Sequence, residues 1–592
     1  MTDLDLWPIG NCQVSALVDR AGRFVWGCVP RVDGDPLFSS LIGGDAAEHG
    51  YWSIELEDVQ STEQHYIRNT PILITRHVDG AGNAVEIVDF CPRFQRAGRV
   101  YRPVAFARIV RPVAGSPRVR VRLRPSCGWG GACRASSGGS NHIRYAGAMT
   151  LRLTTTASVG MVEEERPFRV ERPLHFFLGP DEAFSGDVGA TLEAMLASTT
   201  REWQHWVRGL ATPVEWQEVV IRSAITLKLC QHEETGAIVA ALTTSIPEHA
   251  GSQRNWDYRY CWIRDAYYTV QALNRLGALD VLEGYLGYLR NIVDNCRGGH
   301  IQPLYGVLGE ATLEERVAPD LPGYRGMGPV RVGNQAYEQV QHDAYGQIVL
   351  CNVQAFIDQR LYRMAGVEDF QALERVGERA WAFHDKADAG LWELRTRQSI
   401  HTYSSAMCWA ACDRLANAAA ALGLADRQAF WAERAATIRA TILERAWRPE
   451  TNRMSATFSG DDLDASLIQL LDLRFLSTDD PRFQGTLTAV EEGLRRGSHM
   501  LRYATEDDFG LPETAFNVCT FWLIEALHAT GRSADARALF AEMLERRTAS
   551  GLLSEDIDPL TGELWGNYPQ TYSLVGMINC AGILSKPWSA VR

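Results

Sequence analysis

The segment NWDYRYCWIRDAYYTVQALNR, residues 255–275, joins an aromatic and charged stretch directly to an amphipathic helix. Its first half places Trp and Tyr side chains beside Asp257, Arg264 and Asp265, and its second half repeats apolar residues at helical spacing. Aromatic faces pack on the C–H groups of a sugar ring, while fixed charges bind its hydroxyls. The same pattern also fits the buried start of an ordinary core helix, so both interpretations stand at this point.

The chain after Thr212–Pro213 is a succession of helical segments. They include WQEVVIRSAITLKLC, GQIVLCNVQAFIDQRLYRMAG, SAMCWAACDRLANAAAALG and NVCTFWLIEALHATG. Several end at Gly, which adopts the left-handed conformation that terminates helices. Roughly 380 residues at about 30 per helix and loop give about a dozen helices. Paired helices that close into a ring would gather the Trp-, Tyr- and carboxylate-rich loops at one end.

The chain before this point has a β pattern. Segments such as YWSIELED, ILITRHV, AVEIVDF and RVRVRLRP are short, rich in β-branched residues and separated by Gly, Pro and Asp clusters. This pattern predicts an antiparallel β-sandwich. We expect a sandwich domain at 1–188, a helical linker at 189–212 and a domain of paired helices at 213–592. A Gly/Ser-rich segment, Cys127–Asn141, is predicted to be a mobile connection or a loop that reaches over a neighbouring site.

Composition excludes several classes of partner. The 592 residues are too many for one core, so two domains are expected. A formal net charge of −13 argues against nucleic acid, because there is no basic excess to displace counterions. With 17 Trp, the acidic chain fits neutral sugars better than anionic ligands.

The sequence also predicts a location. The start, MTDLDLWPIGN, lacks the basic region and apolar core of a signal peptide, and no apolar run approaches about 18 residues. We therefore expect a cytoplasmic protein with no membrane partner. The 13 scattered Cys residues indicate free thiols in preference to disulfides or a zinc site. The sequence does not specify an oligomeric state.

Two loops carry candidate catalytic carboxyls. In ADAGLWELR, Glu393 follows Trp392, and an indole in a partly dry pocket would raise the pKa of this carboxyl toward that of a general acid. In GLLSEDIDPLTGELWGN, Glu555 stands near Asp556 and Asp558, where a polar setting would keep a base ionised. Two carboxyls in opposite settings are typical of glycoside hydrolysis. Each motif alone also fits a solvated surface Glu.

Taken together, these motifs resemble glycoside hydrolase family 15, the glucoamylase-like exo-acting enzymes with an (α/α)6 barrel. The resemblance rests on GPVRVGNQAYEQVQHDAYG, GLWELR, MCWAACDR and GLLSEDIDPLTGELWGNYPQ in the helical domain. IGNCQVSALVDRAGRFVWGCVP resembles the N-terminal domain of the bacterial trehalase-like branch. The agreement covers nearly the whole chain.

The resemblance implies roles for individual residues. Glu393 corresponds to the general acid and Glu555 to the general base of an inverting mechanism, with the two carboxyls about 6.5–9.5 Å apart. The residues implied in gripping the terminal glucose are Tyr258, Trp262, Arg264, Asp265, Trp392 and Arg502. No metal or organic cofactor is implied. Two departures from the family pattern, Ala406 and Thr514, lie near the predicted pocket and bear on substrate preference more than on catalysis.

The predicted function is an inverting exo-α-glucosidase that releases β-D-glucose from α-1,4-linked maltooligosaccharides, a small oligosaccharide substrate. The alternatives are trehalose or α-1,6-linked substrates cleaved by the same mechanism, because the N-terminal domain is shared by enzymes of differing specificity. A non-catalytic glycan-binding protein on the same scaffold is a further alternative, which the presence of both glutamates disfavours. A helical interaction scaffold is also disfavoured, because the sequence lacks the fixed-period repeat that a solenoid would show.

Overall fold

The computed structural model describes residues 3–44, 47–147, 149–296 and 299–591. An N-terminal pair of antiparallel β-sheets precedes a domain of paired helices, which is the predicted fold class. The strands of the N-terminal part are β1 (Trp7–Gly10), β2 (Ser15–Val18), β3 (Phe24–Val29), β4 (Asp35–Phe38), β5 (Tyr51–Leu56), β6 (Val59–Tyr66), β7 (Leu73–Asp79), β8 (Ala84–Phe90), β9 (Phe94–Arg96), β10 (Arg99–Tyr101), β11 (Phe106–Ala114), β12 (Arg118–Arg124), β13 (Ser126–Cys127), β14 (Gly131–Ala132), β15 (Ala135–Gly138), β16 (His142–Tyr145), β17 (Leu151–Thr155), β18 (Phe168–Arg169) and β19 (Leu174–Pro180).

Two sheets face each other across a shared apolar core. One has the order β1–β2–β3–β5–β12–β18, with β4 also paired to β3, and the other has the order β15–β16–β17–β19–β11–β8–β7–β6. Strand β12, RVRVRLR, shows why each sheet has one apolar face: its Val and Leu residues are buried, while its four Arg residues lie partly or fully in solvent. Aromatic rings fill the core, as where Phe24 contacts Phe38 and Phe106.

A fully buried ion pair joins adjacent strands of one sheet, and its arginine also bonds to the backbone of the other sheet. Arg108 on β11 donates from Nε and Nη2 to the two carboxylate oxygens of Asp89 on β8, at 2.8 and 3.0 Å. Its remaining donors reach the backbone oxygens of Trp52 and Gly22 at 2.8 and 2.6 Å. Both side chains are inaccessible to solvent. Each guanidinium nitrogen and both carboxylate oxygens therefore have a partner within the protein.

We expect Asp89→Asn to destabilise the sandwich by about 3–5 kcal/mol, because it leaves the Arg108 charge buried without a counter-charge. Urea unfolding followed by far-UV circular dichroism measures the change. Glu57→Gln is the matched control, because it breaks the ion pair between Glu57 and Arg118, whose side chains are 40% and 50% exposed. A midpoint for Asp89→Asn equal to that of this control would contradict the expectation.

The helices begin within the sandwich and dominate the rest of the chain. They are α1 (Val159–Glu163), α2 (Val188–Arg208), α3 (Gln217–Leu229), α4 (Ile263–Arg275), α5 (Leu279–Cys296), α6 (Asp343–Val353), α7 (Val367–Phe383), α8 (Thr402–Ala421), α9 (Ala425–Ala446), α10 (Gln469–Asp472), α11 (Pro481–Leu494), α12 (Asn517–Ala529), α13 (Ser533–Glu545) and α14 (Thr571–Leu584). A 3₁₀ turn, Ala465–Ile468, leads directly into α10.

Paired two-residue strands close the loops between helices. They are Cys261–Trp262 with Leu304–Tyr305, Arg316–Val317 with Arg331–Val332, Trp447–Arg448 with Arg453–Met454, Arg495–Arg496 with His499–Met500, and Ala515–Phe516, Asp556–Ile557 and Leu564–Trp565 in one three-stranded sheet. These short ladders satisfy backbone groups at the loop ends and so restrict the loops to defined positions.

Six of the twelve helices from α3 onward form a closed inner ring. In that ring α4 contacts α6, α6 contacts α8, and α8 contacts α10 with its preceding 3₁₀ turn; that turn contacts α12, α12 contacts α14, and α14 contacts α4 again. The alternate helices pack outside: α5 on α4, α7 and α9 on α8, α11 on the 3₁₀ turn, α13 on α12 and α3 on α14. This is an (α/α)6 barrel among the described residues.

Polar contacts fix the sandwich against the barrel. Arg93 donates to both carboxylate oxygens of Glu233 at 2.5 and 2.8 Å, and Lys228 lies 2.8 Å from the same carboxylate. The guanidinium of Arg259 lies 4.7 Å from the ring centroid of Trp129 in the Gly/Ser-rich segment. That segment forms β13, β14 and part of a sheet edge, and its Trp129 contacts the loop that precedes α4. None of its residues lines the pocket described below.

Three further observations concern the cysteines, the length of the helices and the clustering of metal-binding side chains. All 13 cysteines are free thiols. Within the described ranges, no helix is both long and apolar enough to cross a bilayer. The same ranges contain no group of three or more His, Cys, Asp or Glu side chains placed to hold a metal ion.

Candidate active site

The site lies at the end of the barrel where the inner helices begin. Trp262 precedes the first turn of α4, and Phe516 and Gln570 precede α12 and α14; all three line one pocket there. The pocket contains about 810 Å³ of empty space, part of it open to solvent. Helix N-termini carry partial positive charge, so this end of the barrel favours carboxylates.

All eight side chains predicted from the sequence line this pocket. They are Tyr258, Trp262, Arg264, Asp265, Trp392, Glu393, Arg502 and Glu555. They come from four segments between residues 258 and 555 that only the closure of the ring brings together. The loop at 300–347 also contributes, through Asn334, Ala336 and Gln339.

Glu393 receives its hydrogen bonds on one oxygen. Trp262 Nε1 and Arg264 Nη2 donate to Oε1 at 2.5 and 3.1 Å. No donor in the described part of the chain bonds to Oε2, and the side chain is 23% exposed at the pocket wall. One carboxyl oxygen is therefore fixed, while the other can carry a proton toward a ligand.

The backbone holds Glu393 in an uncommon conformation. Its φ of 62° lies in the left-handed region, which a non-glycine residue adopts at an energetic cost. Gln339 Nε2 donates to its backbone oxygen at 3.1 Å, and the loop closes where Leu394 N donates to Ala389 O at 3.2 Å. The turn aims the carboxyl into the pocket.

The expected contact between Glu393 and the indole of Trp392 is wrong. Trp392 Nε1 donates to Asp464 at 2.7 Å, and its ring packs against Phe516 and Trp522. Because Glu393 has a positive φ, the two consecutive side chains diverge. Trp262, which is 131 residues distant in sequence, supplies the indole that contacts Glu393.

Glu555 is buried, and its surroundings differ from the expected polar setting. Burial raises its pKa well above the ordinary value of 4.5, and the charges of Asp556 and Glu248 raise it further. The Tyr258 hydroxyl and Arg502 act in the opposite direction. Asp558 takes no part, since its carboxylate accepts hydrogen bonds from the backbone N–H groups of Leu560 and Thr561.

Arg264 and Asp265 form the wall that continues from Trp262. Arg264 donates to Gln341 at 2.8 Å and to Asp343 at 3.3 Å, so its charge is anchored from α6. Burial raises the pKa of Asp265 to about 7, against the opposing effect of Arg264. Tyr258 packs edge-on against Trp262 with ring centroids 5.3 Å apart. The result is an aromatic surface bordered by a cation and a carboxyl.

Several lining residues escaped the sequence analysis. Glu248, Arg254 and Trp256 immediately precede or begin the segment from which that analysis started, and Asp507 follows Arg502 closely in sequence. Arg254 donates to both oxygens of Asp507 at 2.8 and 2.6 Å. The available signal was the charge density of PEHAGSQRNWD, but without a fold nothing indicated which charges face inward.

The two departures from the family pattern lie outside the pocket lining. Ala406 is fully buried within α8. Thr514 donates from Oγ1 to Asp556 at 3.2 Å, and Asp556 is the neighbour of Glu555. Thr514 therefore contacts the pocket indirectly, through one carboxyl.

Comparison with known proteins places this arrangement in a family. The profile of glycosyl hydrolases family 15 matches residues 215–582, more than half of the chain. The chain belongs to this family. It is accordingly a glycoside hydrolase, and a second profile, trehalase-like N-terminal, matches residues 6–151.

Relatives named trehalase and one solved structure resemble the chain along its length. Trehalase of Thermoplasma volcanium is 30% identical over 599 residues, covering 97% of this chain and 92% of that protein. Trehalase of Thermoplasma acidophilum is 31% identical over 591 residues, covering 95% and 97%. A bacterial glucoamylase solved with acarbose has a TM-score of 0.68 at 13% identity and covers 98% of this chain and 93% of its own. That likeness shows a shared fold.

Proposed function

We propose that this family 15 chain hydrolyses trehalose with inversion, so that each turnover gives one β-glucose and one α-glucose. The observation that carries the proposal is the identity of 30–31% to proteins named trehalase along both chains. Hydrolysis of α-1,4-linked maltooligosaccharides, which the sequence analysis favoured, becomes the second candidate. A small, carboxylate-rich pocket at one end of the barrel suits a disaccharide in either case.

The proposed mechanism uses the two glutamates at opposite sides of the scissile bond. Glu393 protonates the glycosidic oxygen, using the oxygen atom that Trp262 and Arg264 leave free. Glu555 removes a proton from the water that attacks the anomeric carbon, and the sugar leaves with inverted configuration. The carboxyls are expected to lie about 6.5–9.5 Å apart, leaving room for that water.

The proposed roles of the remaining residues follow from their placement. Trp262 and Tyr258 stack against the glucose ring at the closed end, and Arg264 and Asp265 bind its hydroxyls. Trp392 supports the wall from behind, and Arg502 lies on the side of Glu555. We also propose a cytoplasmic location, which 13 unpaired thiols favour because disulfides are typical of oxidising compartments.

The pH dependence follows from the raised pKa of Glu555. A base acts only when ionised, so kcat/KM falls as the pH drops through its pKa in the free enzyme. Because burial and neighbouring carboxyls raise that pKa above 4.5, the acid limb of the profile is expected above the ordinary range of a glutamate. Initial rates at trehalose concentrations well below KM measure the limb. An acid limb at or below the ordinary value contradicts this assignment of the base.

The deciding experiment is proton NMR of the anomeric signals before mutarotation, with trehalose, maltotriose and isomaltose in parallel. The expected result is rapid loss of trehalose with equal initial amounts of α- and β-glucose. Two α-glucose molecules per trehalose would refute inversion. Release of β-glucose from maltotriose or isomaltose with trehalose untouched would refute the substrate and keep the mechanism. A chain carrying both Glu393→Gln and Glu555→Gln controls for contaminating enzymes.

A further inference from the structure

Glu248 is a further carboxylate of the pocket lining, and the proposed reaction leaves it without a role. Its side chain is 5% exposed and lines the same cavity as Glu393 and Glu555. Arg502 Nη2 donates to its Oε2 in a short contact, and Arg254 Nη1 lies 3.8 Å from the same oxygen. A buried carboxylate without such partners would carry a large desolvation cost, so Glu248 and Arg502 depend on each other.

The backbone ties Glu248 to the loop that carries Glu555. Gly566 N donates to the oxygen of Pro247 at 2.8 Å, and Glu555 N donates to Asn567 O at 3.2 Å. Gly566 has a φ of 73°, and a Cβ at that residue would lie 2.7 Å from the Cβ of Glu555. Gly566 therefore packs tightly between the backbone next to Glu248 and the side chain of Glu555, and a larger residue would not fit there.

The charged and titratable groups around Glu248 come from three segments. Arg502 and Arg254 face it as cations, and Arg254 is also paired with Asp507. Glu555 and Asp556 are close enough for the Glu248 charge to act on both, and the Tyr258 hydroxyl responds to it as well. The adjacent His249 pairs outside the pocket with Glu513, at 3.2 Å.

We propose that Glu248 is a positioning residue of this active site, whose carboxylate fixes the Arg502 guanidinium against the wall and acts through space on Glu555. The proposal rests on the proposed role of Glu555 as the base. Arg502 is the cation that favours the ionised form of Glu555, and Glu248 offsets that effect by binding Arg502. Glu248 thus helps determine the pH below which the base is protonated and the enzyme is inactive.

The test is the pH profile of kcat/KM for trehalose in Glu248→Gln. Gln retains an oxygen that accepts from Arg502 but removes the negative charge. We expect the acid limb to move to lower pH by about one unit, the size of effect that one nearby charge has on a buried carboxyl. A folded Glu248→Gln protein with the acid limb of the wild type overturns the proposal.

Two further variants separate charge from position. Glu248→Asp keeps the charge but shortens the reach to Arg502, so we expect the acid limb to stay near its wild-type position while KM rises several-fold. Glu513→Gln is the matched control. It also replaces a glutamate by glutamine, but the Glu513 side chain is 68% exposed and lies outside the pocket lining. Both the limb and KM should remain as in the wild type.

The proposal remains testable if Glu248→Gln does not fold. Arg502→Gln removes the cation that offsets Glu248, so the acid limb is expected to move to higher pH, and an unmoved limb would overturn the proposal. Failure of the proposed function looks different. A wild-type chain that ignores trehalose but cleaves maltotriose refutes the substrate alone, and the same variants are then measured on maltotriose.

Discussion

Replacing Glu393 by Gln is expected to lower kcat for trehalose by about 10²–10⁴-fold, the contribution of a positioned general acid. Gln has nearly the same shape and can still accept from Trp262 Nε1 and Arg264 at one oxygen. It has no acidic proton for the glycosidic oxygen, so the sugar must leave as an unprotonated alkoxide. The loss should therefore appear in kcat, with KM changed much less.

The leaving group distinguishes an acid from a merely structural residue. Fluoride departs without a proton, so Glu393→Gln should hydrolyse α-glucosyl fluoride at a rate close to that of the wild type. Glu338→Gln is the control, because Glu338 is an exposed carboxylate on a neighbouring loop outside the pocket lining. Near-normal turnover of trehalose by Glu393→Gln, or an equal loss with the fluoride, would refute its role as the acid.

Much of the architecture could be predicted from local pattern. Alternation in segments such as RVRVRLR specifies which face of a strand is buried, and apolar spacing with terminal Gly specifies helices, because both follow from backbone geometry. The pocket residues could be predicted because motifs resembling those of family 15 occur along the chain in the order found in that family. Their convergence required the ring of α4, α6, α8, α10, α12 and α14 to close, and no local pattern encodes that closure.

The electrostatic setting of the glutamates could not be predicted locally. Trp392 and Glu393 are adjacent in sequence, yet a positive φ turns their side chains apart, and Trp262 from a distant loop supplies the indole contact. Asp558 lies three residues from Glu555 but bonds to its own turn. Sequence adjacency describes the composition of a loop, whereas the pKa depends on which groups face each other after folding.

The burial of Glu248 could not be predicted from its local sequence either. Nothing in PEHAGSQRNWD distinguishes a buried functional carboxylate from a solvated one, and Glu is usually exposed. Its burial follows from two arginines, Arg254 in the same loop and Arg502 about 250 residues later. A carboxylate becomes identifiable as part of a site only when its cations are located.

Replacing Glu555 by Gln is expected to lower kcat by about 10²–10⁴-fold with trehalose and also with α-glucosyl fluoride. Both substrates need an activated water, and an amide cannot remove its proton. This shared loss is the opposite of the pattern expected for Glu393→Gln, so the pair of substrates assigns the two roles independently of any resemblance. Retained turnover of the fluoride by Glu555→Gln would show that another group activates the water.

The matched control for Glu555 is its neighbour, Asp556→Asn. Asp556 is equally buried and bonds to Thr514, but it is outside the pocket lining. Its charge raises the pKa of Glu555, so removing that charge should keep turnover and move the acid limb to lower pH. The two variants should therefore differ: Glu555→Gln loses the reaction, whereas Asp556→Asn keeps it and changes the pH at which activity appears. If Asp556→Asn abolished turnover while Glu555→Gln retained it, the base would be Asp556.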